Sequence, residues 1–142
     1  MKRFSSLLEP RSEMSVAQQQ RDAGEQLAAL LRESRLHPWQ PGDPILDRGR
    51  RILLGVASYS VVDLAVLDTL NEAHGQGSIW PRLDVFNVLE CQSMQDLEKY
   101  VPGIGKVFQT PVVGYWEEGL LKETASGKAG RDLLAKVLKL SL

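Results

Sequence analysis

Thr110-Pro111-Val112-Val113-Gly114-Tyr115-Trp116-Glu117-Glu118-Gly119-Leu120-Leu121-Lys122-Glu123-Thr124 is the stretch whose reading decides the fold. Two runs, Val112 to Trp116 and Leu120 to Thr124, flank Glu117-Glu118-Gly119. β-Branched and aromatic residues suit a pleated strand, and glycine suits the left-handed backbone of a tight turn. The pattern predicts an antiparallel hairpin, with a proline directly before its first strand.

Upstream, Ile52-Leu53-Leu54-Gly55-Val56-Ala57 is a short, continuous apolar run, as expected of a strand buried on both faces. Ser58, Tyr59 and Ser60 form a polar break before a helix that places Val62, Val66, Leu70 and Ala73 on one face. Asp63 and Glu72 are expected to point away, and His74-Gly75-Gln76-Gly77 to end the helix. Leu83 to Leu89 reads as the next strand. Ser93 then caps a short helix through Tyr100, with Asp96 completing the cap and Met94, Leu97 and Val101 inward. Pro102-Gly103-Ile104-Gly105 breaks the chain before the hairpin. A closing helix from Lys128 to about Leu140 sets Leu133, Leu134, Val137 and Leu138 on one side. The order of elements predicts an α/β layered sheet with its antiparallel pair at the end.

The first fifty residues read differently. Residues 1–14 are polar, without periodicity, and are expected to fray. From Ser15, a suitable N-cap, the positions Val16, Ala23, Leu27, Leu30 and Leu31 make one apolar helical stripe. That stripe has to be buried, either on its own sheet or against a second copy in a homodimer. His37-Pro38-Trp39-Gln40-Pro41-Gly42-Asp43-Pro44 holds three prolines, so it predicts an extended linker. The expected organisation is an N-terminal helical extension and linker over residues 1–50 and a sheet domain over residues 51–142.

The 142 residues are 43% hydrophobic and 25% charged, ordinary fractions for one globular domain, and the net charge is −1. Residues 1–50 carry 8 basic and 7 acidic side chains, and residues 51–142 carry 9 and 11. Neither part is a basic arm, so bulk electrostatics give no reason to bind nucleic acid or membranes. No apolar run is long enough to span a bilayer, and the N-terminus lacks the apolar stretch of a secretory signal. Cys91 is the single cysteine, which excludes an internal disulfide and a zinc cluster. The expectation is a cytoplasmic protein.

The element order, with Thr110-Pro111-Val112-Val113 ahead of the hairpin, resembles the thioredoxin fold over Ile52 to Ala73 and Leu83 to Leu138. Thr110-Pro111 is similar to that family's threonine–cis-proline step, and Tyr115 to Leu121 to its aromatic-x-x-glycine hairpin. The resemblance implies a central mixed sheet flanked by helices, here carrying the N-terminal helical extension. It departs from the family at Ala57-Ser58-Tyr59-Ser60-Val61-Val62, where the Cys-x-x-Cys pair is missing. Exchange of thiols and disulfides needs an attacking thiolate and a resolving thiol, and serine replaces neither. In this fold the residue before the cis-proline offers its backbone to an extended peptide. The resemblance therefore implies a redox-inactive module that binds a protein or peptide through Ser58, Tyr59, Ser60, Thr110 and Pro111, by strand addition. Such a module is a chaperone, scaffold or assembly factor, similar in outline to hydrogenase-maturation proteins that also lack the cysteine pair.

Two other chemistries are open to the sequence. Cys91 lies two residues before the cap Ser93, and a helix N-terminus lowers a thiol's pKa, so a single-thiol enzyme or sensor is the alternative reading. Val101-Pro102-Gly103-Ile104-Gly105-Lys106 resembles the hairpin of helix-hairpin-helix DNA-binding motifs, whose amides hold a phosphate. The strand-like sequence after it and the neutral charge stand against nucleic-acid binding. His37 and His74 fall in no metal-ligand spacing, and neither a metal nor a cofactor is expected. Trp39, Trp80 and Trp116 read as core or lid anchors.

Overall fold

A strand without polar alternation has to be covered on both faces. Strand β2 (Arg50–Val56) is buried at every position after Arg50 and occupies the centre of a five-stranded mixed sheet. The computed structural model describes residues 3–8, 16–43, 48–74, 80–104 and 109–142. Among them the sheet order is β1 (His37–Pro38), β3 (Arg82–Asn87), β2, β4 (Val112–Glu117), β5 (Leu120–Ser126). The pairs β1–β3 and β3–β2 are parallel, and β2–β4 and β4–β5 are antiparallel. Four α-helices flank the sheet: α1 (Val16–Glu33), α2 (Val61–Ala73), α3 (Met94–Tyr100) and α4 (Gly127–Leu138). No helix among the described residues is long and apolar enough to cross a membrane.

The alternation of β2 builds two cores. Ile52, Leu54 and Val56 join Leu83, Val85, Val113 and Tyr115 beneath α1, α2 and α4. Leu53 joins Phe86, Val112 and Trp116 beneath Leu97 of α3, with Trp39 and Val101. The expected hairpin is present, with positive φ at both turn residues, Glu118 (49°) and Gly119 (78°). A turn of that hand matches the twist of the flanking strands. Gly49 ties it to the start of β2, donating to the Glu118 carboxylate (3.0 Å) and accepting from the Glu118 amide (2.9 Å).

The first fifty residues are more integrated than their composition suggests. The stretch expected as a linker supplies β1, whose register sets His37 against Asp84. Proline is tolerated there because β1 is an edge strand. The Trp39 amide then donates to the Val85 carbonyl at 2.8 Å. Instead of fraying, Phe4–Leu8 form a 3-10 turn. The Phe4 amide donates to Asp68 Oδ1 (2.6 Å), and its ring enters the first core beside Leu27, Leu30 and Leu31. Leu27, Leu30 and Leu31 of the α1 stripe are thus buried in the core over their own sheet. Ser15 and Gly75-Gln76-Gly77, expected as helix signals, lie outside the described residues.

Asp63 and Val62 reverse their expected directions. Asp63 is wholly buried and Val62 is 47% exposed, while Val66 and Leu70 are buried as expected, so the buried face of α2 is rotated from the one its apolar spacing suggested. Arg51, directly ahead of the apolar run, is 1% exposed. Its Nε pairs with Asp84 at 2.9 Å, and Arg82 Nε holds the other Asp84 oxygen at 3.0 Å. The guanidinium lies 5.3 Å from the Trp116 ring centroid, a cation–π contact.

Gly55 is a tight point of the second core, where an added Cβ would sit 2.5 Å from Val112 Cγ2 and 2.7 Å from Phe86 Cζ. Gly55→Ala is expected to cost about 1–3 kcal/mol by forcing the ring off its place. Urea denaturation measures this, and an unchanged midpoint would contradict the packing described.

Candidate functional site

In a parallel sheet the ends of the strands and the starts of the following helices leave a crevice where ligands gather. Here β2 ends at Val56 and β3 at Asn87, and the chain before β4 meets them at Gln109-Thr110-Pro111. Between these segments lies a groove of about 760 Å³, lined by Tyr59, Ser60 and Val62 on one side and Val88, Leu89, Cys91, Ser93, Met94 and Leu97 on another. Gln109, Thr110 and Arg131 complete it.

The turn into α2 is set locally. The Ser60 amide donates to the Ala57 carbonyl (3.0 Å), and Ser60 Oγ accepts from the Asp63 amide (3.3 Å) as the N-cap. Asp63 Oδ2 reaches back to the Ala57 amide (2.9 Å). Burial raises the pKa of Asp63, and the Ala57 amide, the Thr110 and Ser60 hydroxyls and, at longer range, Arg131 oppose that rise. Neither hydroxyl completes a hydrogen bond to Asp63 Oδ1, which is buried without a partner.

The β3 side ends in a 3-10 turn (Val88–Glu90), followed by α3, whose cap is as expected: Ser93 Oγ accepts from the Asp96 amide at 3.1 Å. Met94, expected inward, is 39% exposed and faces the groove. A helix of seven residues buries one row, and Leu97 takes that place. On the third side the Gln109 and Pro111 carbonyls both accept from the Gly127 amide (2.8 and 3.0 Å). A Cβ at Gly130 would lie 2.7 Å from the Pro111 carbonyl oxygen, so α4 is pressed against this segment. The Thr110–Pro111 peptide bond is cis. The Thr110 amide and carbonyl make no backbone hydrogen bond among the described residues.

The five residues singled out from sequence divide unevenly. Tyr59 is 57% exposed, and Ser60 and Thr110 are half-buried on the groove wall. Pro111 is buried behind it. Ser58 is 1% exposed and accepts from Asn87 Nδ2 at 3.3 Å, joining the ends of β2 and β3 as an internal brace. Sequence reasoning missed Val62, Leu89, Met94 and Arg131. The first three are 47%, 47% and 39% exposed, and all three were read as apolar positions of buried elements.

Cys91 is present in the groove with the opposite chemistry to that expected. Burial, with Asp96 and Glu90 nearby, pushes its thiol up to about 11, so at neutral pH it is a thiol and not a thiolate. Gly105 and Lys106, the core of the phosphate-binding expectation, lie outside the described residues. His37 is exposed on the edge strand, and His74 packs edge-on against Trp80 at 5.3 Å. No group of three or more metal-ligating side chains occurs among the described residues. No protein-family model matches the chain, and no curated protein matches it.

Two measurements check these environments. Reaction of Cys91 with a disulfide reagent is expected to be slow at pH 7 and to rise only towards pH 10–11. A thiolate-like rate at neutral pH would contradict its burial. For Asp63, burial makes the folded chain hold its proton above the ordinary aspartate value of 3.8. Just above that pH the unfolded chain has lost the proton and the folded chain has not, so this group makes stability fall as pH rises. Asp63→Asn removes that slope, and urea midpoints from pH 3.8 upward are expected to decline less than in wild type. An identical pH profile would contradict it.

Proposed function

We propose that the chain is a cytoplasmic, redox-inactive protein of thioredoxin-like fold that binds an extended peptide segment of another protein in this groove, as a chaperone, scaffold or assembly factor. One observation carries the reading: Tyr59, Val62, Leu89 and Met94 expose apolar side chains around a single groove, beside a Thr110 backbone that has no backbone partner among the described residues. Apolar side chains scattered singly over a surface need no explanation, but several converging on one concavity mark an interaction site. An extended peptide uses both features, with backbone groups for the Thr110 edge and alternate side chains for the apolar walls.

The mixed sheet, with parallel β2–β3 and antiparallel β4–β5 entered through Thr110–Pro111, supports the fold part of the proposal. The helix α1 ahead of the first strand is its departure from the family pattern. Two observations favour binding over thiol chemistry. No thiol stands at the turn into α2, and the Cys91 thiol is held protonated at the pH of a cell.

Fluorescence anisotropy with labelled octapeptides of alternating valine and threonine tests the proposal. Saturable binding to the wild type is expected, weakened about tenfold or more by Val62→Asp and by Met94→Asp, since each sets a charge against an apolar ligand. Both positions are exposed, so circular dichroism is expected to show the fold retained. Absence of saturable binding, or binding that ignores both substitutions, would overturn it.

A further inference from the structure

Among the described residues Arg131 is the single charged one lining the groove. It lies on α4, which Gly127 and Gly130 hold tightly against Gln109-Thr110-Pro111, and it is half-buried. Among the described residues Arg131 makes no salt bridge and no hydrogen bond. Its one marked electrostatic influence is a longer-range attraction to buried Asp63. Its helix neighbours Lys128 and Asp132 are paired with each other, 4.0 Å apart, and both are exposed. A guanidinium beside apolar walls, without a carboxylate of its own, is a recognition element for an incoming carboxylate.

Resting on the peptide-binding reading, we propose that the segment bound is acidic: an extended, apolar stretch with an aspartate or glutamate side chain opposite Arg131. Charge complementarity selects this occupant, since among the described residues the lining offers apolar contacts from Tyr59, Val62, Leu89 and Met94 and one cation without a salt bridge at the Thr110 end. A side-chain carboxylate fits better than a chain terminus. Termini are captured by nests of free backbone amides, and the Gly127 amide at the start of α4 is already shared by the Gln109 and Pro111 carbonyls.

The probe is a set of labelled, acetylated and amidated octapeptides of alternating valine and threonine. Each position in turn is replaced by Asp, Asn or Lys, and binding is read by anisotropy. At one or two positions the Asp peptide is expected to bind the wild type about fivefold more tightly than its Asn twin, and the Lys peptide more weakly than both. Arg131→Gln should erase the difference, and Arg131→Glu should reverse it in favour of Lys. Reversal by Arg131→Glu separates charge recognition from loss of structure, because a damaged groove binds all three peptides poorly. Equal binding of Asp and Asn peptides at every position would overturn this inference while leaving peptide binding intact, as would an Asp preference that survives Arg131→Gln. Absence of binding by every peptide would overturn both.

Discussion

Burial of β2 on both faces is the constraint from which the rest of the molecule follows. A central strand with Ile52, Leu54 and Val56 on one side and Leu53 on the other requires two covering layers, and the chain supplies them unequally. Three helices and the Phe4 turn cover the first face. The second is covered by one short helix and aromatic side chains, Trp39, Phe86 and Trp116. Burial of apolar area at roughly 25 cal/mol per Å² makes these layers the main favourable contribution to folding. Close packing on this second face also explains why Gly55 is glycine: Val112 and Phe86 both occupy the space a Cβ would take.

The groove arises where this cover stops. At the ends of β2 and β3 the backbone turns away into α2 and α3, and the Pro111 segment closes the third side without filling the middle. The frame around it is rigidly tied. Ser60 and Ser93 cap the two helices, Asp63 holds the Ala57 amide, Ser58 is braced by Asn87, and α4 clamps Gln109 and Pro111. Apolar side chains left exposed on such a frame are pre-organised for a partner, which lowers the ordering cost of association.

Much of this was legible because it is local. The hairpin, the strand from Ile52, the cap at Ser93 and the closing helix each follow from side-chain chemistry within a few residues. What was hidden depends on distant partners. β1 is two residues long and becomes a strand only because β3 is beside it. Phe4 is anchored by Asp68, sixty-four residues away. Arg51 reads as a surface cation until Asp84, Arg82 and Trp116 are placed around it. Val62 and Met94 misled for the opposite reason. Apolar residues at helical spacing read as core, and only the covered face of each helix tells which of them are left outside. For Asp63 a signal was present, since an acidic residue three positions after a serine cap commonly turns back to a free amide.

The most direct test of the central claim, that the groove at the ends of β2 and β3 is the binding surface, is chemical-shift mapping of the labelled chain with an extended apolar peptide. Amide shifts are predicted at Tyr59, Ser60, Val62, Leu89, Met94 and Thr110, with the far edge strand Leu120–Ser126 unaffected. Shifts confined to that edge strand, which also offers unpaired backbone and the exposed Leu120, would contradict the account and move the binding surface to the opposite side of the sheet.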